Sequence, residues 1–310
     1  MLCLGAAHID ETITATGPIR SGTSNPCEIA TSCGGVAFNV AVGLGCLGHP
    51  VALCAPIGHD GDGERLRQRA AEANVAGDCL ITRTERPTGR YVAALDPSGN
   101  LTYGFADTRL CETLTPGDLE PIIANRRDDR VWFIDTNLPE PVLSMLAARC
   151  PPQTCLIADS VSVAKAPRAA CLVGRVTILR TNRAEAEAIL ERPGVPLVSL
   201  ARALADRMAA SIVLTDGAHG TVVVAGSGER APAWLVPAPS VTTVDVTGAG
   251  DAATVGMIHG LAMGLQLADA AVVGHAAAAV VLCRSGAGFD AVTPALLADN
   301  AARVMPYLAL

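Results

Sequence analysis

Short, solidly apolar runs alternate along the chain with longer stretches of helical period, and this alternation is the first guide to the fold. Met1 to Ile9 reads as a buried strand and Val36 to Gly48 as an apolar, Ala-rich helix. Val51 to Pro56 is a second strand, and Asp62 to Ala73 a helix with Glu64, Arg65, Arg67 and Arg69 in its first turns. Strand–helix–strand–helix order predicts a parallel sheet with helices packed on its faces. The pattern then breaks twice. Residues 11–34 are rich in Thr, Ser, Gly and Pro and carry no helical period. Thr88 to Leu95 and Asn100 to Ala106 alternate like strands around the turn sequence Asp96-Pro97-Ser98-Gly99. They predict a hairpin that pairs with strand-like parts of 11–34, forming one small sheet outside the main domain. After residue 108 the alternation resumes, with candidate strands at Val131–Asp135, Cys155–Ala158, Val176–Arg180 and Ser211–Thr215. Helices lie between them, including Arg183–Glu191 and Leu200–Ala209. Thr221–Ala225 and Ala233–Val236 read as a late antiparallel hairpin, and the last third is mostly helix.

Ala252 to Ala268 carries no formal charge and repeats glycine at 256, 260 and 264, a spacing also used by helix pairs in lipid. It falls short of a span of about 20 strongly apolar residues. His259, Thr254 and Gln266 dilute it further. With Ala270 to Cys283 it reads as two buried helices whose backbones approach closely at the glycines.

Composition narrows the function. At 310 residues, 50% of them apolar, the chain can bury one large α/β core with an inserted lid. The charge of −7 argues against nucleic-acid binding through a global positive field. Two Trp, three Tyr and four Phe are too few for a base-stacking platform. The 11 cysteines include no CxxC pair, and the N-terminus has no basic leader, so reduced thiols in a cytoplasmic protein without a structural metal are expected.

Three places can carry chemistry. The first is Asp245-Val246-Thr247-Gly248-Ala249-Gly250-Asp251 before an apolar helix. Side-chain-free positions at a helix start let backbone N–H groups cradle an anion, and Asp251 in the first turn could take the proton of an attacking hydroxyl. No Gly-Lys-Ser/Thr follows, so this is not a Walker A loop. Gly248-x-Gly250-x-x-Ala253 fits the loose dinucleotide fingerprint, but Asp269 stands between helices rather than at a strand end. A plain glycine-rich helix start stays open. The second place is Cys33-Gly34-Gly35-Val36-Ala37-Phe38-Asn39, where Asn39 offers donor and acceptor to hydroxyls at a helix entry; a tight turn with Asn39 in solvent is the alternative. The third is Asp10, expected at the end of the first strand, where ligands of open α/β sheets bind.

Together these motifs resemble the PfkB/ribokinase family of sugar and nucleoside kinases over essentially the whole chain. Gly34-Gly35-x-x-x-Asn39 resembles the amino-terminal signature and Asp245-x-Thr247-Gly248-Ala249-Gly250-Asp251 the carboxyl-terminal one. Asn182-Arg183-x-Glu185 and Thr215-Asp216-Gly217-x-x-Gly220 fall in order between them. The resemblance implies a ribokinase-like three-layer α/β/α core (1–12, 35–86, 108–310) with a mostly parallel central sheet and a small β-sheet lid (13–34, 87–107). It implies Asp251 as the base and Gly248, Ala249 and Gly250 as the anion hole. It places Asp10, Gly34, Gly35, Asn39 and Thr88 on the substrate, and Asn182, Glu185, Thr215, Gly217, Gly220 and Thr247 on ATP. Glu185 would hold Mg2+ through water and Asp245 a monovalent cation, K+. A small-molecule nucleoside or sugar is the implied partner, with no nucleic acid or membrane, in a homodimer formed through the lid.

Ser24-Asn25-Pro26, Tyr91-x-x-x-Leu95-Asp96-x-x-Gly99 and Asp159-x-Val161-Ser162-x-x-Lys165 resemble the branch of the family that phosphorylates the 5′-hydroxyl of pseudouridine. Asn182-Arg183-x-Glu185-x-Glu187 adds to it. Ribose, a ketohexose derivative or another nucleoside are the alternative substrates, and a non-catalytic nucleoside-binding regulator the alternative function. His8 and Phe38 depart from that branch, which tends to carry Asn and Arg there.

Overall fold

The computed structural model describes residues 1–284, 288–301 and 307–310. The chain starts in β1 (Leu2–Leu4), then crosses to a second sheet as β2 (His8–Ala15) and β3 (Cys27–Gly34). This corrects the single strand expected over 1–9. The break has a physical cause. The Asp135 carboxylate fills the space beside Gly5, where a Cβ would lie 2.2 Å from Asp135 Oδ2, and it accepts the Ala6 N–H at 3.0 Å. Asp10 therefore sits in the small sheet, not at the end of the first core strand, and that sheet starts at His8 rather than at 13.

The core resumes with α1 (Val36–Cys46), β4 (Val51–Cys54), β5 (Pro56–Gly58), α2 (Gly61–Glu72), β6 (Val75–Ala76) and β7 (Ile81–Arg83). The expected hairpin follows as β8 (Gly89–Leu95) and β9 (Leu101–Asp107). Asp96 closes its turn, accepting the Ser98 N–H at 2.8 Å and the Asn100 N–H at 2.9 Å. The chain continues through α3 (Pro116–Ala124), β10 (Val131–Asp135), α4 (Glu140–Arg149), β11 (Cys155–Asp159) and β12 (Ile178–Asn182). Next come α5 (Arg183–Leu190), α6 (Leu197–Met208), β13 (Ser211–Thr215), β14 (Thr221–Val224) and β15 (Ala233–Val236). The last elements are α7 (Ala249–Ala262), α8 (Leu267–Leu282), α9 (Pro294–Ala301) and β16 (Leu308–Ala309).

Among the described residues the main sheet has the order β16-β15-β14-β13-β12-β11-β10-β1-β4-β6, parallel from β13 through β6 and antiparallel beyond. The small sheet has the order β3-β2-β8-β9, so the two separated segments do join, with β2 and β8 parallel. Successive residues of the central strands feed opposite cores. Phe133 points to the layer of α1, α7 and α8, while Trp132 and Ile134 point to the layer of α4 and α6. Burial on both faces explains why these strands read as continuous apolar runs. The small sheet buries little, so its sequence alternates instead. α7 and α8 touch closely because a Cβ at Gly256 would stand 2.5 Å from the Val273 carbonyl. No helix among the described residues is long and apolar enough to cross a membrane. All eleven cysteines are free.

Candidate active site

The carboxyl ends of β10 to β13 lie in register, pairing Asp135 with Asp159, Asp159 with Arg180, and Asn182 with Thr215. α7 starts above this row. Its first residue follows Gly248, whose φ of +74° turns the chain into the helix, and the first N–H groups of a helix have no intrahelical partners. Asp251 stands in that first turn. Asn39 of α1 donates from Nδ2 to Asp251 Oδ2 at 2.7 Å. Burial pushes the Asp251 carboxyl up to about 7, helped by the negative charges of Asp159 and Asp10 and opposed by the Asn39 hydrogen bond and by Arg180. A carboxylate poised near neutrality beside an anion cradle can accept a proton from a hydroxyl as that hydroxyl attacks.

The other wall is built by the double glycine. Gly35 has φ +106°, and a Cβ there would stand 2.4 Å from the Ala6 carbonyl. The Phe38 N–H donates to that carbonyl at 3.2 Å, and Asp135 Oδ2 accepts the Ala37 N–H at 3.0 Å. The buried Asp135 carboxylate thus fixes the start of α1 and, through it, Asn39. A Cβ at Gly34 would lie 2.1 Å from Asp10 Oδ2, so the glycine leaves that carboxylate its place. His8 Nδ1 lies 2.9 Å from Asp10 Oδ1, yet both atoms are buried without an aligned hydrogen-bond partner. The two side chains face each other as an ion pair, with Asp10 Oδ2 beside Gly34. Phe38 is 2% exposed and belongs to the core. Thr88 is placed differently from a ligand contact. Its hydroxyl donates to Asp60 Oδ1 at 2.6 Å and accepts the Gly58 N–H at 2.9 Å, which pins the root of β8.

On the far side of α7 opens a cavity of about 650 Å³ lined by Arg180, Thr215, Gly217, Ala249, Gly250 and His275, among others. Gly220 is not among its lining residues; a Cβ there would stand 2.4 Å from the Val236 carbonyl, so it lets the hairpin close. Thr247 is exposed in the loop before α7, where its N–H donates to Asp245 Oδ1 at 2.8 Å. Asn182 and Glu185 form a reciprocal cap at the start of α5. Glu185 N–H donates to Asn182 Oδ1 at 3.0 Å, and Asn182 Nδ2 donates to Glu185 Oε1 at 2.6 Å. The Ser160 hydroxyl donates to Glu185 Oε2 at 2.6 Å, and burial raises the Glu185 carboxyl.

The sequence reading missed several groups that shape this floor. Arg180 donates from Nη1 to Asp159 Oδ2 at 2.7 Å. His275 bridges the Pro237 carbonyl and the Thr221 hydroxyl, each at 2.8 Å, and burial depresses its pKa. Nδ1, facing the carbonyl, is the donor of that bond. For Arg180 and Asp159 a signal existed: each is a charged residue that follows an apolar run, Asp159 closing β11 and Arg180 midway along β12. His275 sits in an Ala-rich helix with no such mark.

Among the described residues no three His, Cys, Asp or Glu side chains gather into a cage. Magnesium keeps several waters and takes one or two carboxylates plus phosphate oxygens, which a single Glu185 carboxylate beside an anion cradle can satisfy. The residues fit a water-rich ion shared with a phosphate.

A buried carboxylate at a glycine-rich helix start, with a cavity on the far side of that helix, suits an enzyme that moves an anionic group onto a hydroxyl. Comparison with known proteins identifies the kind. Residues 1–294 match the family described as pfkB family carbohydrate kinase. The pseudouridine kinase of Escherichia coli (strain K12) is 27% identical over 281 residues, covering 87% of this chain and 86% of the relative. A carbohydrate kinase from Agrobacterium tumefaciens superimposes with a TM-score of 0.85 at 30% identity, covering 100% of this chain and 99% of the other. An Arabidopsis thaliana ribokinase solved with ribose and ATP superimposes with a TM-score of 0.83 at 19% identity, with 97% of both chains covered. The chain belongs to the pfkB family of carbohydrate kinases and has the ribokinase-like α/β fold. It is a phosphotransferase with an alcohol group as acceptor.

Proposed function

We propose that the protein is an ATP-dependent kinase that phosphorylates the 5′-hydroxyl of a nucleoside, pseudouridine in the first place. One observation carries the kinase chemistry: Asp251 stands at the start of α7, held by Asn39 and lifted to about 7. Asp251 Oδ1 or Oδ2 receives the hydroxyl proton. The N–H groups of residues 248–250 bind the charge that builds on the transferring phosphoryl oxygens, that of Ala249 giving up its 3.3 Å bond to the Val246 carbonyl. Asp10, with His8 beside it, takes sugar hydroxyls, and Gly34 and Gly35 let the sugar approach the backbone. Thr215 and Gly217 line the cavity that would receive the nucleotide. Magnesium, held at Glu185 through water, would neutralise phosphate charge as transfer proceeds. Asp245 would take a potassium ion at the turn before α7. The small sheet closes over the sugar and limits loss of phosphate to water.

Pseudouridine is supported by the likeness to the Escherichia coli enzyme over 87% of the chain and by the lid and 159–165 stretches that resemble that branch. A free pentose or ketohexose derivative is the second reading. It is favoured by the burial of Phe38, which leaves that ring unable to stack on a base. We also propose a homodimer joined through the small sheet. Ile29, Tyr103 and Phe105 are each 58–62% exposed. The strand register puts them on the face opposite Asp10 and Tyr91.

The deciding experiment is ADP release from Mg·ATP with potassium present, across pseudouridine, uridine, adenosine, ribose and fructose, with Asp251→Asn as control. Turnover confined to pseudouridine is expected. Turnover with ribose or fructose instead transfers the assignment to a sugar, and ligand-induced stabilisation without turnover would sink the kinase reading.

A further inference from the structure

Arg180 has a use that the family motifs do not supply. It stands midway along β12, and its guanidinium lies on the cavity floor, 13% exposed, against a 3% exposed Asp159. Nη1 is held by that carboxylate. Nη2 turns to the start of α7, where a Cβ at Gly250 would stand 2.8 Å from it. The glycine therefore serves two ends: it exposes the backbone N–H, and it lets a guanidinium lie against that same turn. A fixed positive charge beside the positive end of a helix is unfavourable on its own account. Asp159 and Asp251 offset part of that cost, and an anion lying between the guanidinium and the helix start would offset it further. The charges around it point the same way. Burial works against the Arg180 charge, but Asp159, Asp251 and Glu185 more than restore it. Without this cation, those three carboxylates would repel a polyphosphate from the floor of the cavity that Arg180 lines. A guanidinium can also hold two phosphate oxygens at once, which an ammonium cannot.

We propose that Arg180 binds the terminal phosphates of the nucleotide across the start of α7, with Asp159 holding its guanidinium in position. This rests on the nucleotide reading above. It makes Arg180 the side-chain half of a cradle whose backbone half is Gly248 to Gly250.

The test is calorimetric titration with Mg·AMP-PNP and, separately, with AMP, which lacks the terminal phosphates. Wild type is expected to bind both. Arg180→Gln is expected to weaken AMP-PNP by about ten- to a hundredfold and leave AMP unchanged. Arg180→Lys should recover part of the loss. Because Arg180→Gln strands a buried carboxylate, the double variant Asp159→Asn/Arg180→Gln is titrated beside it, removing both charges. Selective loss of AMP-PNP binding in the folded double variant supports the proposal. Equal affinities in wild type and variants, or equal losses for both ligands, would make Arg180 a structural partner of Asp159 and overturn it. A wild type that binds neither nucleotide overturns the nucleotide reading itself, and this inference with it.

Discussion

Asn39 and Asp251, 212 positions apart, meet in one hydrogen bond of 2.7 Å that ties the first turns of α1 and α7 together. Each belongs to a separate glycine-rich motif, and neither motif alone explains the other. The bond orients the carboxylate and opposes its protonation, since an amide donor favours the charged form. The asparagine is thus a positioning residue for the proposed base as well as a candidate sugar contact.

Removing that donor moves the titration. Asn39→Ala leaves Asp251 buried and near Asp159 and Asp10 but without its amide partner, so the carboxyl rises above its present value of about 7. A hydrogen bond to a charged group is worth about 1.5–3 kcal/mol, or roughly one to two pH units. The acid limb of kcat/KM against pH should shift upward by that amount, with activity partly recovered at high pH. A profile that drops in height without shifting would show that Asn39 serves the substrate alone.

Wild-type activity should fall about tenfold per pH unit below 7, because the base must be ionised to work. Asp251→Asn should lose on the order of 100- to 10,000-fold in kcat. Stability moves the other way. A carboxyl whose pKa is raised on folding contributes its stabilisation fully below the unfolded pKa and loses it as pH rises through about 7. The amide variant escapes that loss. Its melting temperature relative to wild type should therefore climb between pH 5 and pH 8, a trend that thermal scans at the two pH values would check.

The main sheet was legible because strands buried on both faces leave unbroken apolar runs, as in Val131–Asp135 and Ser211–Thr215. The small sheet was legible from alternation and from one strong turn at 96–99. What failed was the junction at Gly5. Nothing local marks it, since the break comes from the Asp135 carboxylate, 130 positions away. The two motifs around the proposed base were visible by their glycines. Arg180 and Asp135 were not singled out, and Asp159 only as the start of the 159–165 stretch, because each acts through a partner on a neighbouring strand or helix. Thr88 stood in the expected place, but its hydroxyl is taken by Asp60, which sequence spacing could not reveal.

The paired glycines at 34 and 35 should separate binding from folding. Gly34→Ala keeps an ordinary backbone but puts a methyl where Asp10 Oδ2 lies, 2.1 Å away. The carboxylate must swing aside, and misplacing this proposed sugar contact by about 1 Å can cost up to about 100-fold in kcat/KM. Gly35→Ala instead forces φ +106° on a residue with a side chain and drives it into the Ala6 carbonyl. It should destabilise the fold by about 1–3 kcal/mol or more. Urea denaturation and steady-state kinetics on both variants would show the split; equal loss of stability in the two would contradict it.

The outer face of the small sheet makes a last prediction. Tyr103 and Phe105 stack with ring centroids 6.2 Å apart, and both lie mostly in solvent. Register aligns Phe105 with Val92, and Tyr103 with Ala94, Ile13 and Ile29, in an apolar surface on a sheet that ends in two open edges, β3 and β9. Such a surface on a sheet edge invites pairing with a second copy. Light scattering at micromolar concentration should give twice the chain mass for wild type. The double variant Tyr103→Ser/Phe105→Ser should run as a monomer with its melting temperature little changed, since neither ring contributes to the core. A wild-type monomer would count against lid-mediated pairing. A dimer that survives the double substitution would move the contact elsewhere. If the dimer also steadies the lid, the monomeric variant should show a raised KM for the sugar with kcat affected less, because Asp10 lies on the opposite face of the same strands.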